Sequence, residues 1–180
     1  METIEIKPIE TTYNGFKFRS RLEARWAMTF SLLGIRWFYE HEGYQTSSGF
    51  YVPDFWLPDT YLRSNLIKGV LFEVKPENHE NTHDQLQEVA ESLKVGGILA
   101  CGYEWVSDKY GWFGNWNGLY QIEPPWDNDM SLYRCKCGSS TFEYHGAGNY
   151  ECPICQSSEW QTTNSLTDTA YDRAIRYRFW

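Results

Sequence analysis

Two short acidic motifs carry the residue types that metal-assisted hydrolysis of a phosphodiester requires. The first is Pro53-Asp54, and the second, further along the chain, is Glu73-Val74-Lys75. Carboxylates hold a hard divalent cation through oxygen, and the cation activates water and offsets charge on the phosphate. A lysine beside them can position that water or help to deprotonate it. Both motifs lie in apolar, strand-like runs, so the pattern predicts a site at the ends of neighbouring strands.

Each motif also has a simpler interpretation. A surface strand can carry Glu73 and Lys75 on one solvent-exposed face, because strand side chains alternate. A Pro-Asp pair is common in turns. If the site interpretation is right, Glu73 and Lys75 share a face and Val74 is buried behind them. The order, the separation and the apolar surroundings of the two motifs favour a metal-binding site.

A helix that is predicted to begin after Ser20 supplies a third carboxylate. Ser20 is a good N-cap, and Glu23 stands three residues later, as in a capping box. Two interpretations of Glu23 stay open: a partner of the cap, or a third carboxylate of the metal site. Arginines at the start of this helix would either hold phosphate or lie solvated on the surface. They are Arg19, Arg21 and Arg25.

Hydrophobic periodicity and turn signals predict the elements around these motifs. They are a helix between Ser20 and Gly34, strands at 35–39, 49–57 and 68–74, a helix at 82–94, a strand at 98–101 and an aromatic hairpin at 112–122. Pro58 is expected to close the second strand. The order predicts an α/β (α+β) fold in which a mixed central sheet packs against helices.

Two cysteine pairs form a second strong pattern, Cys135-x-Cys137 and Cys152-x-x-Cys155. Four thiolates can enclose a tetrahedral zinc ion, and zinc ribbons carry such pairs on two turns. The first pair is one residue shorter than the usual spacing. The alternatives are two disulfides, which a cytosolic setting disfavours, unpaired thiols, or His145 as a substitute ligand. The pattern predicts a structural Zn²⁺ ion.

Composition and charge limit the classes of function. Apolar residues make up 42% of the chain and aromatic residues 18%, which argues against disorder. No apolar run approaches the length of a membrane span, and the N-terminus lacks the features of a signal peptide, so we expect a soluble cytoplasmic protein. The net charge is −8, all of it within residues 1–130, which argues against tight, nonspecific binding of DNA.

Three motifs, FRSRLEARWA, YVPDFWLP and LFEVKP, together resemble those of the PD-(D/E)XK nuclease superfamily over about residues 12–101. That group includes restriction endonucleases, phage Holliday-junction resolvases and transposon end-cleaving nucleases. Small phage-encoded members similar to this chain often append a cysteine-rich ribbon. The resemblance implies a restriction-endonuclease-like αβββαβ core and a catalytic Mg²⁺ or Mn²⁺ ion.

The resemblance also implies roles for individual residues. It assigns Asp54 and Glu73 to the metal, with assistance from the Val74 carbonyl. It makes Lys75 the residue that orients the attacking water, and Glu23 the carboxylate contributed by the helix. Each of these positions carries the residue type that the superfamily pattern expects.

The leading hypothesis is a metal-dependent DNA endonuclease, phage-encoded and acting on branched or structured DNA in the cytoplasm of an infected bacterium. Its parts would be a nuclease-like domain at 1–130, a zinc ribbon at 131–162 and a C-terminal helix at 163–180. Resolvase-like cutting of two strands would favour a homodimer.

A second hypothesis is a non-catalytic module with the same fold. It would dock a protein partner through the zinc ribbon and an aromatic surface, which the acidic charge favours. Four aromatic residues would either pack in the predicted hairpin or stack on bases: Trp105, Trp112, Phe113 and Trp116. A zinc-ribbon factor that processes RNA ranks last, because the sequence contains no RNA-recognition motif.

Overall fold

The fold is described from a computed structural model. It describes residues 8–62, 67–75, 80–101, 111–112, 130–144, 151–152, 154–158, 160–162, 170 and 173–179. The two long helices among these residues are α1 (Arg21–Leu32) and α2 (Glu80–Leu93). The strands are β1 (Thr11–Tyr13), β2 (Phe16–Phe18), β3 (Phe38–Tyr39), β4 (Tyr44–Thr46), β5 (Gly49–Tyr51), β6 (Phe55–Leu62), β7 (Ile67–Lys75), β8 (Gly96–Cys101), β9 (Gly111–Trp112), β10 (Met130–Cys135), β11 (Ser140–Tyr144) and β12 (Trp160–Thr162).

One mixed sheet organises the chain. Its strands follow the order β12-β10-β11-β6-β7-β8-β9, and β3 also pairs with β6. The β6–β7 pair is antiparallel, whereas β7–β8 and β11–β6 are parallel. Two hairpins, β1–β2 and β4–β5, lie outside this sheet. The predicted mixed α/β architecture with a mixed sheet is therefore confirmed, and the restriction-endonuclease-like core stays a prediction.

Helix α1 begins and ends at the residues that the sequence predicts. Ser20 caps its N-terminus, where its hydroxyl accepts a hydrogen bond of 3.1 Å from the Glu23 N–H. At the other end Gly34 takes a φ of +67°, and the N–H of Ile35 donates to the Phe30 carbonyl at 2.8 Å. This is the Schellman arrangement, which glycine makes inexpensive because it has no Cβ.

The two faces of β7 pack against different helices because strand side chains alternate. Val70, Phe72 and Val74 belong to the core on the α1 side. Leu71 belongs to a second core with α2. By alternation, Glu73 lies on the α2 side with Leu71. The predicted arrangement, with Val74 on the opposite face from Glu73, is confirmed.

An aromatic cluster fills the core on the α1 side. Phe30 meets Phe55 and Phe72 edge-to-face, with ring centroids 5.4 and 5.1 Å apart. Trp26 packs on Phe72 at 4.8 Å. Edge-to-face contacts add to the free energy that burial already provides. This cluster fixes α1 against the sheet. It thereby also fixes the first turn of α1 relative to the start of β6 and the end of β7.

The expectation that Pro58 closes the second strand is wrong. The structure divides the predicted strand into β5 and β6, and β6 runs through Pro58 to Leu62. Proline has no N–H to donate, and the register with β7 shifts between Leu57 and Tyr61. The proline therefore marks an irregularity within the strand rather than its end.

The cysteine-bearing strands extend the main sheet. Residues 140–142 of β11 pair in parallel with residues 60–62 of β6, and the Thr141 hydroxyl donates to the Tyr61 carbonyl at 3.0 Å. Residues 173–176 are helical, and the buried Ala174 joins the core on the α1 side. The boundaries at 1–130, 131–162 and 163–180 stay predictions. Most of the predicted hairpin at 112–122 lies outside the described residues.

No helix within the described ranges combines the length and the apolar character that crossing a membrane requires.

Phe55→Ala tests the aromatic cluster. Phe55 is fully buried, so its truncation should lower the free energy of unfolding by about 3–5 kcal/mol, through lost burial and the cavity that remains. Phe50→Ala is the matched control, because Phe50 is 70% exposed and its truncation should cost no more than about 0.5 kcal/mol. Urea unfolding measures both. Equal costs would contradict the proposed packing.

Candidate functional site

Three elements bring the predicted carboxylates to one region of the molecule. Asp54 precedes β6, Glu73 lies near the end of β7, and Glu23 occupies the first turn of α1. Their exposed fractions are 1%, 2% and 6%. The burial of three acidic side chains is costly unless partners compensate it. The surface-strand interpretation of Glu73 is therefore wrong. Asp54 lies in a bend before β6, as a Pro-Asp pair in a turn would, but it is buried there.

Asp54 and Glu73 are joined by two hydrogen bonds between side chain and backbone. The Asp54 N–H donates to Glu73 Oε2 at 3.1 Å, and the Val74 N–H donates to Asp54 Oδ2 at 2.7 Å. Pairing between β6 and β7 reaches only as far as Phe55 and Phe72. Beyond that point the two carboxylates satisfy backbone groups that the ladder leaves unpaired.

Each of these carboxylates also meets a cation. Arg19 Nη2 lies 2.5 Å from Asp54 Oδ1, and Arg19 Nε lies 2.9 Å from Glu40 Oε1. Lys75 Nζ contacts Glu73 Oε1. Asp54 is therefore already paired with one of the predicted phosphate-binding arginines, and Glu73 with the predicted water-orienting lysine.

Burial dominates the electrostatics of the site. It raises the pKa of Asp54 to about 8, and Glu73 adds to the rise, while Lys75 and the Val74 N–H oppose it. Burial also lowers the pKa of Lys75, but Glu73 and Asp54 outweigh that effect and raise it above its usual value. Lys75 is therefore an ammonium group that donates hydrogen bonds.

Glu23 is the capping-box partner that the sequence allowed. Its Oε1 accepts from the Ser20 hydroxyl at 2.7 Å, and its Oε2 accepts from the Arg19 N–H at 3.2 Å. Tyr39 donates its hydroxyl to the same Oε2 at 2.5 Å. The capping interpretation is confirmed, and a metal-binding role for Glu23 stays a prediction.

Sequence reasoning missed Tyr39, Tyr51 and Glu40. The Tyr51 hydroxyl donates to Glu73 Oε2 at 2.8 Å, so it fixes the orientation of that carboxylate. The Glu40 N–H donates to the Asp54 carbonyl at 2.9 Å. Tyr51 lies in the YVPD stretch beside Asp54, and a buried tyrosine hydroxyl usually has a partner. That rule predicts a hydrogen-bond partner for the Tyr51 hydroxyl, but it does not predict which residue the partner is.

The other predicted site residues have varied surroundings. Arg21 is exposed on the first turn of α1, and Arg25 is partly buried one turn later. Val74 contributes its N–H to Asp54, and the predicted role of its carbonyl stays a prediction.

The four predicted cysteines lie together. Their sulfur atoms are all within 4.8 Å of one another. The Cys135 and Cys155 sulfurs are 3.4 Å apart, and those of Cys137 and Cys152 are 3.6 Å apart. All four thiols are free, so the disulfide alternative is wrong. A tetrahedral zinc ion with bonds of 2.3 Å separates its sulfurs by about 3.8 Å. The cluster could therefore hold a metal such as Zn²⁺.

Two tight turns present these thiols. Gly138 N–H donates to the Cys135 carbonyl at 2.8 Å, and Gln156 N–H donates to the Cys152 carbonyl at 2.8 Å. Gly138 and Gln156 both have positive φ. The shorter Cys-x-Cys spacing thus still forms a turn that points both sulfurs inward. The alternative ligand His145 lies outside the described residues.

Ser139 supports the cluster. Its hydroxyl lies 3.2 Å from the sulfurs of both Cys137 and Cys152. Burial raises the pKa of Cys152, but hydrogen bonds from Ser139 and from the backbone of Cys155 and Ile154 lower it to about 6. The thiolate is the form that binds a metal, so a lowered pKa favours metal binding by Cys152.

Glu23, Asp54 and Glu73 do not form a comparably compact group in the part of the chain that the structure describes. Arg19 contacts two of them: its guanidinium reaches Asp54, and its Nε lies 4.0 Å from Glu23 Oε2. Asp54 and Glu73 are each buried, and each presents one oxygen to a positive group. A divalent cation at these two carboxylates stays a prediction.

Comparison of the chain with protein-family models, curated proteins and solved structures found no match. Membership of the PD-(D/E)XK superfamily therefore stays a prediction from the motifs.

Asp54→Asn should change how stability depends on pH. An unfolded aspartate has a pKa of about 3.9, and burial raises that of Asp54 to about 8. The folded protein thus holds this proton more tightly, and its free energy of unfolding should fall between about pH 4 and pH 8, by up to about 1.4 kcal/mol per pH unit. Asp54→Asn should flatten this fall.

Urea unfolding of the zinc-loaded protein between pH 4 and pH 8, without added Mg²⁺ or Mn²⁺, measures this slope. Asp59→Asn is the matched control, because Asp59 is about half-exposed and pairs with Arg36 on the surface. A slope that is the same in Asp54→Asn as in the wild type would contradict the electrostatic interpretation.

Removal of one cysteine should release the metal. Cys152→Ser should lose zinc and unfold the cysteine-bearing segment, because structural zinc contributes roughly 10 kcal/mol or more of coupled folding energy. Elemental analysis and the melting curve measure the two effects. Cys101→Ser removes a thiol from β8 and should retain zinc. Zinc-free wild-type protein with an unchanged melting curve would contradict the zinc prediction.

Proposed function

We propose that the chain is a metal-dependent endonuclease that hydrolyses phosphodiester bonds in DNA, with a core of the PD-(D/E)XK type. The observation that carries the proposal is the convergence of Asp54, Glu73 and Lys75 from the start of β6 and the end of β7. Hydrolysis of a phosphodiester uses all three.

Asp54 and Glu73 would hold a Mg²⁺ or Mn²⁺ ion through their oxygens. When bound, the ion supplies Lewis acidity that lowers the pKa of water and offsets charge on the phosphate. Tyr51 would keep Glu73 in place, because its hydroxyl already donates to Oε2. The Val74 N–H would do the same for Asp54 through Oδ2.

Lys75 would orient the attacking water. It is partly exposed, with 26% of its side chain accessible, whereas its partner Glu73 is buried. The ammonium group can therefore reach both the carboxylate and a water molecule that approaches from solvent. Because its pKa is raised, Lys75 would act as an ammonium donor rather than as a base. It would donate a hydrogen bond to the oxygen of the attacking water and stabilise negative charge.

The substrate that fits this chain best is DNA with a defined structure, such as a branched junction of phage DNA. A net charge of −8 opposes tight binding to arbitrary DNA. The positive groups near the site would act locally, on the phosphate that enters it. The cysteine cluster lies on strands that pair with the far end of β6, so we assign it a structural role.

A second candidate is a non-catalytic module that docks a protein partner through its cysteine-bearing strands and aromatic surface. One observation favours it: Arg19 and Lys75 already compensate Asp54 and Glu73, as in a purely structural ion-pair network. A crystal soaked in Mn²⁺ separates the two candidates. Manganese between Asp54 and Glu73 supports the nuclease, and no manganese there favours the module.

Lys75→Ala tests catalysis directly. The protein is incubated with Mg²⁺ or Mn²⁺ and with linear, nicked and four-way-junction DNA. We expect cleavage of the junction, and at least about a hundredfold slower cleavage by Lys75→Ala, because loss of one positioned donor to developing negative charge costs about that much. Lys68→Ala is the matched control: Lys68 lies on the same strand, is 58% exposed and should retain activity. Uncut DNA, or equal rates in both variants, would contradict the proposal.

A further inference from the structure

Arg19 bridges two carboxylates of different accessibility. Its Nη2 lies 2.5 Å from Oδ1 of Asp54, which is 1% exposed, and its Nε lies 2.9 Å from Oε1 of Glu40, which is 36% exposed. The Arg19 side chain is itself 56% exposed. The guanidinium thus has one contact inside the site and one at its edge, with open solvent beside it.

Asp54 has one oxygen that backbone groups do not use. The Val74 N–H donates to Oδ2, and Arg19 Nη2 occupies Oδ1. A divalent cation that approaches Asp54 at Oδ1 would meet the positive guanidinium at close range. Two cations so close to one oxygen repel each other strongly in a buried site. Binding of the ion at Oδ1 therefore competes with the contact between Asp54 and Arg19.

We propose that Arg19 is an exchangeable partner of Asp54: it occupies Oδ1 in the metal-free protein, and it leaves for Glu40 and a substrate phosphate when a divalent cation binds. The proposal rests on the proposed metal site and adds a positioning residue to it. It also gives the reason why the three carboxylates are not gathered around a common point while Arg19 is in place.

Glu40 is suited to retain the displaced arginine. Its N–H donates to the Asp54 carbonyl at 2.9 Å, so the two acidic residues are held side by side. Its φ of +45° is a strained value for a residue other than glycine, and such strain persists only where the surroundings enforce it. With Nε kept on Glu40, the two terminal nitrogens of Arg19 become available to grip phosphate oxygens.

Coupling between the cation and the phosphate follows by linkage. A phosphate that draws Arg19 away from Asp54 removes the competitor of the cation, so it tightens cation binding. By reciprocity the cation must tighten phosphate binding by the same factor. The site would therefore assemble fully only when metal and DNA are both present.

The experiment measures Mn²⁺ affinity of the zinc-loaded full chain, by electron paramagnetic resonance of free Mn²⁺, without DNA. Arg19→Met should bind Mn²⁺ roughly tenfold more tightly than the wild type, because the competitor is gone. Lys17→Met is the matched control: it removes an equal charge two residues away, from a surface pair with Glu10. Its affinity should change less than twofold.

A double-variant comparison tests the role of Glu40. Glu40→Gln should weaken Mn²⁺ binding in the wild-type background, because Arg19 then has only Asp54 to hold. In the Arg19→Met background that effect should shrink. An effect of equal size in both backgrounds would mean that Glu40 acts through its charge alone and would overturn its assigned role.

Arg19→Lys replaces Arg19→Met if circular dichroism shows that the latter is unfolded. Lysine keeps the charge, but its single nitrogen cannot contact both Asp54 and Glu40 as Nη2 and Nε of Arg19 do. Tighter Mn²⁺ binding, by a smaller factor, is then expected. An unchanged affinity would overturn the exchange as surely as an unchanged affinity in Arg19→Met.

The outcomes separate this inference from the proposed function. Unchanged affinity in Arg19→Met, or an equal gain in Lys17→Met, would overturn the exchange and leave the endonuclease intact. If the wild type binds no Mn²⁺, or if Asp54→Asn binds it equally well, both the exchange and the endonuclease are overturned. A tenfold gain in Arg19→Met together with uncut DNA would support the exchange and reject the endonuclease.

Discussion

Two hydrogen bonds, from the Asp54 N–H to Glu73 and from the Val74 N–H to Asp54, join the start of β6 to the end of β7. They are possible only because backbone pairing between the strands stops at Phe55 and Phe72. Each carboxylate thereby gains a fixed orientation at the place where its burial costs most. The positions of Lys75, Tyr51 and Arg19 all follow from that arrangement.

The compensation of charge is local, although the chain is strongly acidic overall. Asp54 and Glu73 each have a cation on one oxygen and a backbone N–H on the other. This arrangement compensates the two buried carboxylates without a metal. Its cations, Arg19 and Lys75, lie at the solvent-exposed edge of the site. Partial exposure of Arg19 and Lys75 lowers the cost of removing these charges from water, and it also leaves them accessible to a ligand.

Local patterns predicted the local features correctly. The capping box of Ser20 and Glu23, the glycine stop of α1 and the alternation along β7 each depend on neighbours within a few residues. The cysteine pairs were recognised for the same reason, since each pair forms its own turn. Their meeting within 4.8 Å agrees with the expectation that the four thiols act together.

Non-local contacts were beyond the reach of the sequence. The pairing of Arg19 with Asp54, the hydroxyl bonds of Tyr39 and Tyr51, and the role of Glu40 depend on how separate elements pack. Pro58 was misread for a related reason: a proline is compatible with a strand wherever a missing donor is tolerated, and only the neighbouring strands decide this.

The parallel pairing of β11 with β6 has a consequence for the order in which the protein forms. Tyr61 and Thr141 are 80 residues apart, so the outer edge of β6 at residues 60–62 has no partner until most of the chain has been synthesised. An unpaired strand edge invites pairing with other chains, and closing so long a loop is slow. Metal capture by the cysteines would order the turn before β11 in advance, so that less of β11 remained to be ordered when it pairs with β6. That would shorten the time during which a nascent chain is prone to aggregate.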